Sequence, residues 1–413
     1  MEDLIPQTAI DTVAQHINFR NSKPYGISIV SVPSNPETPH FFEIVPFTEI
    51  DQMNWRVYAV DGSQASKTFY NGLSIGLYRG GYVCFENGQQ RRMNDNDDPV
   101  VYGKTYLPQN MLITSQDHLY AMYQELIDSL PVKNFITFLD ASPEDVFPYN
   151  VDALVAGSLS TILNFCQEIL EWSLVYEIAL RPEVRPGDFI LRDGTLRSLN
   201  IRQEYLVKLG QFLASKGIIV AAVTKNSPIK MELNYTFRQI DNYLQEQLKS
   251  QYPFKQADPR YQKLCCWFEV PEPVLAAAYG RTGGQYARKA LTGGRGFGLF
   301  FAARLDYVEK LQNYDWVLVD ISFFDAVPNV AGSDLIRDME RLLSIFYNLT
   351  RLTQEHYILG YPYPLVDAHN LVSLTSAFFE GEIVNRVKHS MYYNQQMDNV
   401  DIENLFLDIH SRF

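Results

Sequence analysis

Two apolar runs in this chain each close on Asp-Gly followed by a hydroxyl residue, and a long helical pattern separates them. The first reads R-V-Y-A-V-D-G-S over residues 56–63; the second reads D-F-I-L-R-D-G-T-L over 188–196. An Asp at the carboxyl end of a core strand is rooted in the core yet points into a crevice. The glycine after it lets backbone or ligand approach closely. Asp-Gly is also a common turn, so either copy alone says little. As a pair around one helix they predict neighbouring strands whose carboxylates, Asp61 and Asp193, converge. Convergent carboxylates repel, and a divalent cation is the usual remedy. Oxygen ligands select Mg²⁺ or Mn²⁺ over zinc. Two such ions, about 3.5–4 Å apart, activate a water and stabilise a leaving oxygen in phosphodiester hydrolysis.

The rest of the chain fits an α/β fold. Residues 1–50 hold six prolines and one strand pattern, Gly26–Val32, and read as an N-terminal extension to a main domain over 51–413. After the first Asp-Gly, Gly72–Arg79 and Gly81–Phe85 alternate and are joined by Gly80-Gly81, which predicts a meander of antiparallel strands. Asn87–Pro99 reads as a polar loop. A helical pattern from Val151 to Arg181 stops at Pro182. Then come strand Asp188–Arg192, helix Ile201–Ser215, strand Ile218–Thr224, helix Leu233–Lys249 and strands Leu264–Val270 and Trp316–Ile321. Helices Asp334–Leu352 and Leu365–Phe379 close the chain. A meander extended through crossovers predicts a mixed sheet flanked by helices, with C-terminal helical elements.

The intervening helix should add a third carboxylate, and Glu168, Glu171 and Glu177 compete. Strand 188–193 rises about 17 Å at ~3.3 Å per residue. That equals roughly 11 residues of helix at ~1.5 Å each. Counting back from Arg181 reaches Glu171; Glu177 lies one turn from the helix end, on a different side. Glu171 is therefore preferred and Glu177 kept in reserve.

Composition narrows the partners. The 413 residues carry 35 Lys and Arg against 48 Asp and Glu, a net charge of −13. That excludes coating of nucleic acid or anionic membrane by bulk charge. The four cysteines form no C-x-x-C pair and read as buried thiols in a reducing cytoplasm. No apolar stretch reaches membrane-spanning length, and the Met-Glu-Asp start is unlike a signal peptide.

V-D-G-S at 60–63, R-D-G-T-L at 192–196, A-V-T-K-N-S at 222–227 and G-Y-P-Y-P-L-V-D-A-H at 360–369, in that order around a Glu-bearing helix, resemble the NurA nucleases. The resemblance implies an RNase H-like core and a Mn²⁺-dependent DNA nuclease. It further implies 5′→3′ exonuclease and single-strand endonuclease action in DNA end resection and repair, with a hexameric HerA-type translocase as partner and a homodimer as the working form. Asp61, Glu171 and Asp193 match the family's metal-binding acids, and Tyr361 and His369 its late pair. Pro362 and Pro364 keep Tyr361 in an extended segment leading into a helix whose first turns hold Asp367 and His369. A histidine there serves as a ligand of a second metal or as the acid for the leaving 3′-oxygen. Asp367 reads equally as a helix N-terminal charge. Lys225, just past a core strand, is placed to meet the scissile phosphate as a point charge.

DNA needs a basic surface, and two windows lack acids. Tyr205–Met231 carries Lys208, Lys216, Lys225 and Lys230. Gly280–Arg304 carries Arg281, Arg288, Lys289, Arg295 and Arg304, with Gly283, Gly284, Gly293, Gly294, Gly296 and Gly298 between them. Glycines admit phosphates close to the backbone and arginines supply charge, predicting sequence-independent contact. Two other readings compete with the nuclease: a non-catalytic scaffold that docks a ring ATPase, and an ATP-binding member of the RNase H-like superfamily. The latter lacks an evident adenosine-binding glycine element.

Overall fold

A computed structural model describes residues 11–15, 42–43, 55–69, 74–92, 103–108, 112–113, 116–155, 158–225, 227–251, 265–271, 274–275, 278, 296–305, 316–327, 330–331, 334–335, 337–353, 360–394 and 398–405. The predicted strand Gly26–Val32 and most of the 1–50 extension lie outside them.

The fold is α/β, a mixed and largely open sheet flanked by helices. Its main strands are β1 (Arg56–Thr68), β2 (Ser74–Glu86), β3 (Phe189–Asp193), β4 (Ile219–Thr224), β5 (Cys266–Glu269), β6 (Gly298–Arg304) and β7 (Trp316–Ser322). They run in the order Phe42–Glu43, β5, β6, β7, β4, β3, β1, β2, Gln89–Arg91. The main helices are α1 (Gln116–Asp128), α2 (Leu130–Leu139), α3 (Leu159–Leu180), α4 (Gln203–Ser215), α5 (Pro228–Gln251), α6 (Met339–Arg351), α7 (Tyr363–Val372) and α8 (Asn385–Asn394). No helix among the described residues is long and apolar enough to cross a membrane. The chain forms two compact units, and the division falls inside β3, between Leu191 and Arg192.

One unit comprises residues 54–191, 199–218 and 364–413. Its base is the β1–β2 hairpin, paired without a break from Arg56↔Glu86 to Thr68↔Ser74. This corrects two expectations. Asp61-Gly62-Ser63 does not end its strand but lies in the middle of β1, and Gly80-Gly81 is no turn but the middle of β2. Helix α3 explains the glycines. A Cβ on Gly80 would stand 2.7 Å from Leu170 Cδ2, and one on Gly62 would stand 2.5 Å from Glu171 Oε1. Gly62 and Gly80 are register partners, so together they open the sheet surface for the helix. The reversal after β2 falls instead at Asn87-Gly88, both with positive φ, and returns the chain as Gln89–Arg91 within the predicted loop.

Helix α3 begins later than predicted. Val151–Val155 is a separate short helix, and Ser158 caps α3 by accepting from the Thr161 N–H. Ile162, Leu163, Phe165, Ile169, Leu170, Trp172, Leu174 and Ile178 are all buried. Each such side chain contributes about 1.5–3 kcal/mol on leaving water. The helices α1 and α2 went unread in the sequence, and Pro131 sits harmlessly in the first turn of α2. The predicted helix Leu365–Phe379 is α7, a short helix Ser376–Phe378, a π-helical turn Phe379–Val384 and then α8.

The other unit comprises residues 1–53, 192–198 and 219–363. Here β5, β6, β7 and β4 pair antiparallel. Ile229, Leu233, Phe237 and Ile240 of α5 pack on Phe268, Phe300, Trp316 and Leu318, with Phe237 stacked on Trp316 at 4.6 Å between ring centroids. Asp334–Leu335 pairs with Val330–Ala331 as a small ribbon rather than opening the predicted helix. Asp338 caps α6 by accepting from the Arg341 N–H. The four cysteines are buried free thiols.

The close approach at Gly80 gives a first test. Gly80→Val overpacks the hairpin against Leu170 and should cost about 1–3 kcal/mol, read as a lower urea midpoint of the full chain. An unchanged midpoint would mean that α3 has room to retreat.

Candidate metal centre

Asp61 sits where β1 pairs with Gly81 of β2, and its carboxylate is buried. Oδ1 accepts from the Gly62 N–H at 2.7 Å, and Oδ2 lies 2.9 Å from His369 Nδ1. His369 belongs to α7, and its ring is 55% exposed. The main chain after that helix is tied to the same strand, since Leu374 N–H donates to Ser63 Oγ at 3.1 Å.

Asp193 is the last residue of β3. Gly194 follows with φ +106°, a conformation that disfavours any side chain. Its N–H donates to Val223 O at 3.1 Å, and Thr224 Oγ1 donates to Gly194 O. Two residues on, Leu196 N–H donates to Asp320 Oδ2 at 2.8 Å, and Arg197 Nη1 pairs with the same oxygen. Arg197 also donates to Gly298 O at 2.8 Å and lies 3.8 Å above the Phe300 ring. The Asp-Gly-Thr-Leu-Arg segment is thus held by a wholly buried ion pair.

Asp61, Asp193 and His369 each offer one ligand atom, and these atoms lie within 4.8 Å of one another. The group could hold a metal ion. Two carboxylate oxygens and an imidazole nitrogen suit a divalent cation, whose charge would relieve the repulsion between the aspartates.

Glu171 is buried on α3 with Oε1 over Gly62, and it accepts from Gln167 Nε2 at 2.9 Å. It lies against Gly62, the residue after Asp61, but is not one of the three clustered groups. Glu177 is engaged elsewhere: the Tyr82 and Tyr106 hydroxyls donate to it and Lys104 pairs with it at 3.0 Å. Glu168 accepts from Asn200. Asp367 lies half-buried on α7, two residues before His369.

Tyr361 is buried; its hydroxyl donates to Val223 O at 3.4 Å, and Lys225 Nζ lies 3.7 Å from its ring centroid. Arg281, Arg288, Lys289 and Arg295 lie outside the described residues. Arg304, from the same window, is buried. In the other window Lys208 donates to Leu139 O and Lys216 lies over the Phe212 ring.

Sequence reading missed Gln167, Arg197 and Asp320. Asp320 left a usable signal: a lone acid inside the apolar run V-L-V-D-I needs a buried partner. Gln167 left none, because its role depends on the rotation of α3.

Two outcomes follow from this geometry. Mn²⁺ at about 100 times its Kd should add ~2.7 kcal/mol to the apparent stability, and Asp61→Asn or Asp193→Asn should erase the thermal shift. Arg197→Ala, which leaves Asp320 buried without its main partner, should cost about 3–5 kcal/mol by chemical unfolding. The chain matches no known family profile, and no curated protein matches it in sequence.

Proposed function

We propose that this protein is a metal-dependent DNA nuclease of the NurA kind, hydrolysing phosphodiester bonds in DNA end resection and repair. The observation that carries the reading is the convergence of Asp61, Asp193 and His369 within 4.8 Å. Strand order supports an RNase H-like core: β4, β3, β1, β2 and Gln89–Arg91 run 5-4-1-2-3 around the hairpin, with α3 between β2 and β3 and α4 between β3 and β4. Mn²⁺ or Mg²⁺, as one or two ions, is the proposed cofactor. In this reading the protein acts in the cytoplasm as a homodimer with a HerA-type ring and degrades DNA 5′→3′, cutting single strands internally.

Asp61 and Asp193 would hold the ion, with His369 at its margin and Glu171 behind Gly62. When bound, the ion supplies Lewis acidity toward the scissile phosphate and lowers the pKa of a water. The protein's own groups do the rest. Gly62 N–H and Gln167 Nε2 hold the carboxylates of Asp61 and Glu171 in orientation. With the His369 Nδ1 proton directed at Asp61, Nε2 is left to exchange a proton with the leaving 3′-oxygen. Lys225 supplies a point charge for a non-bridging phosphate oxygen.

The test is degradation of end-labelled linear DNA in Mn²⁺, Mg²⁺ or EDTA. Wild-type protein should cut only with metal. Asp61→Ala and Asp193→Ala should each lose at least about 100-fold. Glu171→Gln should abolish cutting and Glu177→Gln should spare it. Metal-dependent cutting that survives both aspartate substitutions sinks the assigned site. DNA left intact under every metal, with a translocase ring present, favours the scaffold reading instead.

A further inference from the structure

Lys225 and Tyr361, 136 positions apart, form the closest cation–aromatic contact among the described residues, with Nζ 3.7 Å from the ring centroid. We infer that Tyr361 is a positioning residue: its buried ring is a shelf that holds the Lys225 ammonium where a backbone phosphate of DNA would dock. The phosphate ligand rests on the nuclease reading; the shelf itself does not.

Four observations carry the inference. Lys225 is exposed, and among the described residues no carboxylate pairs with it, so its charge is available to an anion. An exposed lysine ordinarily samples many rotamers, and fixing one costs up to about 2 kcal/mol; a ring face against the ammonium offsets about 0.5–1 kcal/mol of that. The ring is itself anchored. Tyr361 is buried, it follows Gly360 at φ +72°, and its hydroxyl donates to Val223 O. Val223 O also accepts from the Gly194 N–H, the residue after Asp193. One carbonyl therefore anchors both the ring and the turn that carries the aspartate. Lys230 Nζ donates to Lys225 O at 2.8 Å and holds the backbone from the other side.

This arrangement gives the tyrosine hydroxyl a structural task and leaves the ring face as the part that acts on the site. Phenylalanine should substitute for it; a side chain of similar volume without a ring should not. The role differs from acid–base chemistry at the phenol, which would fail in the phenylalanine variant.

The full chain and the variants Lys225→Ala, Tyr361→Phe, Tyr361→Leu and Tyr361→Met can be compared in two ways. First, amine acylation without DNA, mapped by peptide mass, reads the ammonium directly. Lys225 should be labelled about two- to fivefold faster in Tyr361→Leu than in wild type or Tyr361→Phe, because losing the ring frees the amine that it holds and shields on one face. Equal rates in all of them overturn the shelf. Second, binding of a labelled single-stranded oligonucleotide is measured in EDTA across a salt series. Lys225→Ala should weaken it and lower the slope of log affinity against log salt by about 0.7. Tyr361→Leu should match that loss, the double variant should lose no more than Lys225→Ala, and Tyr361→Phe should stay within about twofold of wild type. Thermal melts check folding, and Tyr361→Met replaces the leucine variant if that one unfolds. If Tyr361→Phe fails as Tyr361→Leu does, the hydroxyl carries the role and the inference falls. A labelling difference in a wild-type protein that does not bind DNA keeps the shelf and removes the nuclease reading.

Discussion

The distance between α3 and the β1–β2 hairpin is set by side chains that are absent. At Gly62 and Gly80, paired across the hairpin, any Cβ would press into Glu171 or Leu170. Their absence lets a helix buried on nearly every side lie directly on two long strands. The same contact has a chemical consequence. It brings a carboxylate of the helix against the backbone next to Asp61, so packing and site share one constraint.

A second constraint acts on the segment carrying Asp193. A buried ion pair is often no more stabilising than apolar replacements, because both charges must leave water. Here Asp320 receives the Leu196 N–H as well as Arg197, and Arg197 reaches Gly298 O and the face of Phe300. The pair thereby fixes the chain three and four residues after Asp193. The net charge of −13 takes on a different meaning in this setting. Some of the acids are built into the fold, at buried Asp61, Glu171, Asp188, Asp320 and Asp325, and arginines pair with the last two.

Much of the local structure was legible in the residues. The two Asp-Gly units, the helix end at Pro182 and the core strand before Lys225 are all local signals, and the structure has β3, α4, β4 and β7 within a residue or two of their predicted bounds. The errors share one cause. Gly80-Gly81 reads as a turn because glycine pairs usually mark one, whereas here they answer to a helix distant in sequence. Asp61-Gly62 read as a strand end for the same reason, although β2 pairs straight past it.

The sequence by itself determined the donor types, the apolar strands that bear them and the glycine after each aspartate, since these are properties of neighbouring residues. Only the tertiary structure decided which groups meet. Asp61 and His369 lie 308 positions apart, and Glu171 rather than Glu177 faces Gly62 because of how α3 is rotated on the hairpin. Those outcomes depend on strand register and helix rotation, where a shift of one residue turns a side chain to the other face.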